Sequence, residues 1–181
     1  MSDAARKRPP VIIGADLNTL LVHTGNAPKM RDLHDAITIV ANTGLRLREL
    51  TQLRWSDVNL EHRWFLIRAM SGERRVPFGA HTLRTLASRR ERHRDAEFVF
   101  ITSHTSLSHQ LRRACDQLGI NDRGFHAIRN GMVSRLVVTG ASIASVCYIL
   151  GRSDAWSESS HGLLSEEARF RLATCDQARI E

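Results

Sequence analysis

The feature that most constrains the fold is one short segment with strand periodicity among several longer segments with helical periodicity. Residues 64–69 alternate and are rich in strand-forming side chains. The sequence Ser71-Gly72-Glu73 predicts a turn, after which residues 75–78 can return as an antiparallel partner. Elsewhere most apolar residues recur every three or four positions, as in amphipathic helices. The sequence therefore predicts an α+β fold that is mainly α-helical and has a small antiparallel β-sheet.

The ends of the helical segments are marked by glycine and serine. Gly44 suits a left-handed C-cap, and Ser142 suits an N-cap for a helix that stops at Gly151. This pattern excludes a βαβ nucleotide-binding fold, and the sequence contains neither a P-loop nor a GxGxxG motif. The predicted helices are 32–42, a short one closing near 55–57, 81–94 with its arginines outward, 107–118, 125–138, 143–150 and 166–178, with a buried strand at 98–100.

The charge balance favours a polyanionic partner. The 181 residues include 26 Lys and Arg against 19 Asp and Glu, a net charge of +7, and all of these cations except Lys7 and Lys29 are arginines. Arginine presents a planar fork that matches phosphate and guanine edges, so nucleic acid is the simplest candidate. For the basic helix 81–94, a DNA-binding face and an ordinary solvated face are equally compatible with the sequence.

Composition also bounds the domain organisation and the compartment. We expect residues 1–10 to be a mobile basic N-terminus and residues 11–181 to form one domain. The three cysteines show no metal-binding spacing, and Cys115 and Cys147 lie in apolar helical contexts typical of core thiols. This pattern predicts a cytoplasmic protein without a metal site. No apolar stretch approaches the ~20 residues of a membrane span.

Four motifs occur in a specific order along the chain. Thr43-Gly44-Leu45-Arg46-Leu47-Arg48-Glu49-Leu50 comes first, and the hairpin ending in Arg75-Val76-Pro77-Phe78 follows. His126-Ala127-Ile128-Arg129 then opens a long helix, and Ile149-Leu150-Gly151 closes the next. In this order, over about residues 30–165, they resemble the catalytic domain of tyrosine recombinases, the phage integrase family. The resemblance implies that family's fold, here without the N-terminal core-binding domain that most members carry.

The resemblance also implies a site and its chemistry. Members of the family attack a DNA phosphodiester with a tyrosine hydroxyl, and arginines stabilise the charge that develops on the phosphate oxygens. Arg46 and Arg129 would be this phosphate clamp, and His126 would assist proton transfer. No metal, ATP or other cofactor is implied, and the partner is double-stranded DNA. The implied DNA contacts are Arg46, Arg68, Arg74, Arg75, Arg129 and Arg152.

The chain departs from the family pattern at three places. Arg152 stands at the family's third basic position, and His161 stands where the family has its nucleophilic tyrosine. The hairpin contains no lysine to act as the acid for the leaving oxygen, and arginine is a poor proton donor. The one tyrosine of the chain, Tyr148, lies in an apolar helix, where packing in the core is the favoured role.

Three functions remain open from the sequence. The favoured one is DNA binding at an inherited phosphate site, with strand cleavage impaired or lost. The protein would act alone, as a homo-oligomer formed through the C-terminal segment 163–180, or together with an active recombinase. The second is an active recombinase with an atypical nucleophile, His161 or a serine among Ser157, Ser159 and Ser160. The third is a protein-interaction or regulatory module on the same fold.

Overall fold

The computed structural model describes residues 10–69 and 72–151, and in these ranges the fold is mainly helical with one small sheet. Single 3-10 turns lie at Pro28–Met30 and Trp55–Asp57. The α+β architecture predicted from the sequence is confirmed. The helices are α1 Gly14–Gly25, α2 Arg31–Thr43, α3 Leu47–Thr51, α4 Ala80–Arg92, α5 His104–Leu118, α6 Phe125–Val138 and α7 Ile143–Leu150; the strands are β1 Val58–Asn59, β2 Trp64–Ala69 and β3 Gly72–Pro77.

The sheet is antiparallel and runs in the order β1-β2-β3. Phe65 lies opposite Val76, so the residues of β2 and β3 that alternate inward reach the core together. The rings of Phe65 and Phe78 pack with their centroids 4.5 Å apart. The predicted hairpin is thus confirmed, and residues 70–71 of its turn lie outside the described residues.

Helix α2 forms the centre of the core. Leu33, Ala36, Ile37 and Val40 are fully buried, and the helix packs against α1, α4, α5 and α6. Gly44 ends it at a φ of 67°, in the left-handed conformation expected of this glycine. The predicted helix 32–42 and its C-cap are therefore confirmed, and the chain leaves α2 in the direction that starts the next element, α3.

Two elements differ from the sequence-based expectation. Helix α1 has only Leu17, Leu20 and Thr24 buried along its length, and this narrow stripe, without a capping side chain, gave no helix prediction. The predicted strand at 98–100 is wrong as a strand, although Val99 and Phe100 are buried. Phe98 forms a single β-bridge with Arg54. The pairing extends no further because the residues after Arg54 form the 3-10 turn Trp55–Asp57. The predicted helix 166–178 lies outside the described residues.

Helix α4 does not turn all of its arginines outward, which corrects the expectation for this segment. Thr82, Leu86 and Arg89 share its buried face, and Arg89 is completely buried. Its Nη1 lies 2.8 Å from carboxylate oxygens of both Asp32 and Asp35. Its Nε donates to Val99 O at 3.0 Å, and its guanidinium lies 3.8 Å above the Phe100 ring. Arg89 therefore joins α4 to α2 through a buried ionic cluster.

This cluster makes stability sensitive to acid. Burial would raise the pKa of Asp32, but hydrogen bonds from Thr102 and Arg89 outweigh it and hold the pKa below its ordinary value. A depressed folded-state pKa contributes stability above the unfolded pKa that is lost as the pH falls through the folded pKa. We expect thermal stability to fall below about pH 4, and Asp32→Asn to flatten this decline. Identical acid profiles for Asp32→Asn and the exposed Asp16→Asn would contradict this expectation.

The N-terminal segment 10–13 is held against α6. Ile12 N donates to Ala127 O at 3.0 Å, and Asn130 Nδ2 donates to Pro10 O at 2.9 Å. Gly131 permits this close approach, because a Cβ at that position would lie 2.2 Å from Ile12 O. The segment thus fixes the helix that carries the His126–Arg129 motif.

The remaining sequence expectations concern cysteines and membranes. Cys115 is a buried free thiol whose pKa is raised by burial, which confirms its prediction as a core thiol, and Cys147 is half-buried. In residues 10–69 and 72–151, none of the helices has the length and apolar character needed to cross a membrane.

Candidate nucleic-acid interface

A basic cleft of about 680 Å³ lies where the N-terminal ends of α3 and α6 meet α5. It is open to solvent on one side, and none of the described residues that line it is acidic. Such a concentration of arginine at an exposed concave surface attracts anions strongly. The basic side chains of this lining, which we call the arginine cleft, are Arg46, Arg48, His104, Arg112, Arg123, His126 and Arg129.

Arg46 reaches the cleft because the chain reverses at Gly44 and anchors Leu45 in the core. It directly precedes α3, and its backbone N–H donates to Glu49 Oε2 at 2.8 Å, so Glu49 caps the helix start. Arg46 Nη1 also donates to Glu49 Oε1 at 3.0 Å. The Arg46 side chain remains 46% exposed.

His126 and Arg129 lie near the start of α6, three residues apart and therefore on the same side of the helix. His126 is exposed, whereas Arg129 is 8% exposed. Arg129 Nη2 donates to Leu150 O at 2.9 Å, which ties the start of α6 to the end of α7. The positive end of the α6 dipole adds to the attraction for anions at this point. The three residues singled out by the motifs, Arg46, His126 and Arg129, thus share one cleft.

Arg74 lies behind Arg46 and is buried. Its Nη2 is 2.9 Å from both Glu49 carboxylate oxygens, and its Nε donates to Ile149 O at 3.3 Å. Burial would raise the pKa of Glu49, but the charge of Arg74 and a hydrogen bond from Arg46 N hold it below its ordinary value. Glu49 is therefore a carboxylate at neutral pH, shared by an exposed arginine and a buried one.

Arg68 and Arg75 lie on the sheet, outside the lining of the cleft. Arg68 is exposed and pairs with Asp57 and Glu73, and these contacts raise its pKa. The Arg75 guanidinium lies 4.8 Å from the Trp64 ring centroid. Their assignment as DNA contacts stays a prediction, as does that of Arg74.

Tyr148 is a core residue. It is 5% exposed, it packs with Met132, Leu136, Val146 and Ile149, and its hydroxyl oxygen accepts a hydrogen bond from Arg75 N at 3.1 Å. The predicted packing role is confirmed. Arg152, His161 and the serines at 157, 159 and 160 lie outside the described residues.

Sequence reasoning missed the wall of the cleft that α5 provides. His104, Ser108 and Arg112 follow one another at intervals of four, so they form a polar stripe along one face of α5. The adjoining face buries Leu107, Leu111 and Ala114. This spacing was the available signal, and Arg123, paired with Asp116 at 2.8 Å, completes the wall.

Comparison with known proteins identifies the family. The sequence profile described as the phage integrase family matches residues 11–157. The chain belongs to this family. Among its relatives is tyrosine recombinase XerC of Xanthomonas axonopodis pv. citri (strain 306), 27% identical over an alignment of 165 residues that covers 83% of this chain and 53% of the relative. XerC of Pediococcus pentosaceus is 25% identical over an alignment of 144 residues that covers 70% of this chain and 48% of the relative. The chain spans about half the length of these relatives.

Solved structures of phage integrase relatives share the fold. The XerA recombinase superposes with a TM-score of 0.69 at 20% identity, covering 94% of this chain and 66% of that one. The Tn1549 transposon integrase, solved in complex with a circular intermediate DNA, superposes with a TM-score of 0.72 at 18% identity, covering 97% and 67%. The predicted tyrosine-recombinase catalytic-domain fold is confirmed. Within the described part of the chain, no group of three His, Cys, Asp or Glu residues has the geometry to hold a metal ion.

Proposed function

We propose that this chain binds double-stranded DNA through the arginine cleft and that its capacity for strand cleavage is impaired or lost. The observation that carries the proposal is the convergence of Arg46, His126 and Arg129 in one exposed cleft whose described lining contains no acid. Singly, each of these residues has an ordinary structural explanation. Together they form a surface with the charge and geometry that a phosphate group requires.

Each residue has a distinct part in phosphate binding. Arg46 is exposed and stands at the cleft wall, so its fork contacts the non-bridging oxygens of a phosphate from the solvent side. Arg129 is held by Leu150 O and is largely desolvated, which strengthens its attraction for the same anion. His126 donates a hydrogen bond from the rim. Arg112 and His104 extend the basic wall along the path of the bound DNA strand.

The known complexes of related folds support a DNA partner. The Tn1549 transposon integrase has been solved with DNA, and the XerH recombinase has been solved bound to its difH substrate. XerH superposes on this chain with a TM-score of 0.68. Because the sequence identities are low, these structures support only a shared fold. The support for DNA binding by this chain comes from its own basic cleft.

Impaired cleavage is supported by the residues that strand transfer requires. The chain has one tyrosine, Tyr148, and it is buried among apolar side chains with its hydroxyl bonded to the backbone of β3. The place of the family's nucleophile in the motif spacing is occupied by His161. Of the described hairpin residues, 64–69 and 72–77, none is a lysine, and an arginine there stabilises an anion without donating a proton.

The binding proposal is tested with Arg129→Ala. We expect this substitution to weaken duplex DNA binding about tenfold at 0.1 M salt and to lower the slope of log affinity against log salt by about one. Fluorescence anisotropy of a labelled duplex at several salt concentrations measures both. Arg113→Ala is the matched control, because Arg113 is an exposed arginine on α5 outside the cleft lining. Equal effects of the two substitutions would contradict the proposed site, and no binding by the unmodified chain would favour a protein-interaction module.

The cleavage proposal is tested with a nicked suicide duplex. We expect no covalent protein–DNA adduct on a denaturing gel, while anisotropy under the same conditions still shows binding. An adduct would establish an active recombinase with an atypical nucleophile. Its loss in His161→Ala, but not in Tyr148→Phe, would then assign that nucleophile to the histidine.

A further inference from the structure

Glu49 lies between two arginines that have opposite surroundings. On one side Arg74 is 8% exposed, with Nη2 2.9 Å from each carboxylate oxygen. On the other side Arg46 is 46% exposed and shares one of these oxygens, with Nη1 at 3.0 Å. One negative charge therefore faces two positive charges, and only the exposed arginine lines the cleft.

Arg74 is held firmly in its place. Its Nε donates to Ile149 O at 3.3 Å, and Gly151 lies so close that a Cβ there would come 2.8 Å from Arg74 Nη1. A guanidinium fixed in this way cannot turn away from Glu49, whereas the Arg46 side chain is 46% exposed. The bond that yields when an external anion arrives is therefore the one between Glu49 and Arg46.

We propose that Arg74 is a positioning residue of the DNA-binding site: it supplies the countercharge of Glu49 and so leaves the Arg46 guanidinium available to a DNA phosphate. This inference rests on the proposed binding of DNA in the arginine cleft. Without Arg74, the half-buried carboxylate of Glu49 has Arg46 as its remaining ion-pair partner among residues 10–69 and 72–151. The desolvated carboxylate then holds Arg46 back from the DNA.

The test is a pair of substitutions that separates countercharge from contact. In Arg74→Met we expect duplex affinity to fall about tenfold at 0.1 M salt and the salt slope to fall by about one, the equivalent of one phosphate contact. Glu49→Gln is expected to bind at least as tightly as the unmodified chain. In the double variant R74M/E49Q no carboxylate remains to retain Arg46, so we expect the affinity and slope to return to within about twofold of Glu49→Gln.

Arg54→Met is the matched control. It removes the same charge and an ion pair with Glu97, both outside the cleft lining, and does not lower the salt slope by one. If R74M/E49Q binds as weakly as Arg74→Met, Arg74 contacts DNA itself or acts only through the fold, and the inference is overturned. Should Arg74→Met fail to fold, the DNA affinities of R74M/E49Q and Glu49→Gln still test the positioning role. The double variant is expected to fold, because removing both charges of a buried pair is better tolerated than removing one.

The same experiment separates the inference from the proposed function. If the unmodified chain binds no DNA, the proposed function fails, and the positioning role fails with it. If the unmodified chain binds DNA, Arg129→Ala weakens it and R74M/E49Q is not restored, only the positioning role fails.

Discussion

Replacing Arg89 by methionine is expected to lower the free energy of unfolding by about 4 kcal/mol, because it leaves two half-buried or buried carboxylates without their shared cation. Asp32 would retain Thr102, and Asp35 would retain Arg92, so neither becomes wholly unpaired. Val99 O would lose its donor, and the Phe100 ring would lose the guanidinium above it. Urea denaturation followed by far-ultraviolet circular dichroism measures the change.

Arg90→Met is the control for this substitution. Arg90 is the next residue on α4, is exposed, and contacts Ala96 O and the Trp55 ring. Exposed contacts of this kind contribute about 1 kcal/mol or less. A loss in Arg89→Met no larger than that in Arg90→Met would show that the ionic cluster adds nothing to stability. Adding Asp35→Asn to Arg89→Met should recover part of the loss, since one of the two carboxylate charges that have lost Arg89 is then removed.

Gly131→Ala is expected to destabilise the protein by about 3 kcal/mol and to lower the melting temperature by about 10 °C. Alanine normally favours a helix over glycine by about 1 kcal/mol, so propensity alone predicts the opposite sign. The added Cβ, however, would lie 2.2 Å from Ile12 O and 2.7 Å from the Ile13 side chain. A backbone carbonyl has no rotamer through which to move away, so segment 10–13 must detach or shift.

Gly25→Ala separates the clash from propensity. Gly25 is also helical, and a Cβ there would lie 3.2 Å from the His34 ring, a side chain that can move by a few tenths of an ångström. Calorimetry of both variants should show the large loss only in Gly131→Ala. Similar melting temperatures for the two variants would mean that segment 10–13 moves away from α6 without a measurable loss of stability.

Much of the fold was predictable because its signals are local. The alternation of β2, the apolar stripe of α2 and the glycines at helix ends each depend on a few neighbouring residues, and all three are found as expected. Helix α1 was missed because its buried stripe is narrow. The interior position of Arg89 was missed because hydrophobic patterning treats arginine as a surface residue, and only the distant Asp32 and Asp35 make its burial favourable.

The site was predictable where a motif marked it. The resemblance singled out Arg46, His126 and Arg129, and the fold brings them into one cleft. Arg74 carries no local sign of being buried, because its environment is set by Glu49 and Ile149, 25 and 75 residues away. The stripe on α5 passed unnoticed for a different reason: polar residues beside an apolar face are what any surface helix shows.

The attachment of segment 10–13 to α6 also determines when the protein can finish folding during synthesis. Val11 N donates to Asp122 Oδ2, three residues before α6 begins, and Asn130 Nδ2 of α6 donates to Pro10 O; the two bonds span 111 and 120 residues. Segment 10–13 is synthesised before α6 and therefore waits for it, and the loop between them must close before either contact forms. Until then the start of α6 lacks its support, so we expect the arginine cleft to be among the last parts of the domain to acquire its shape.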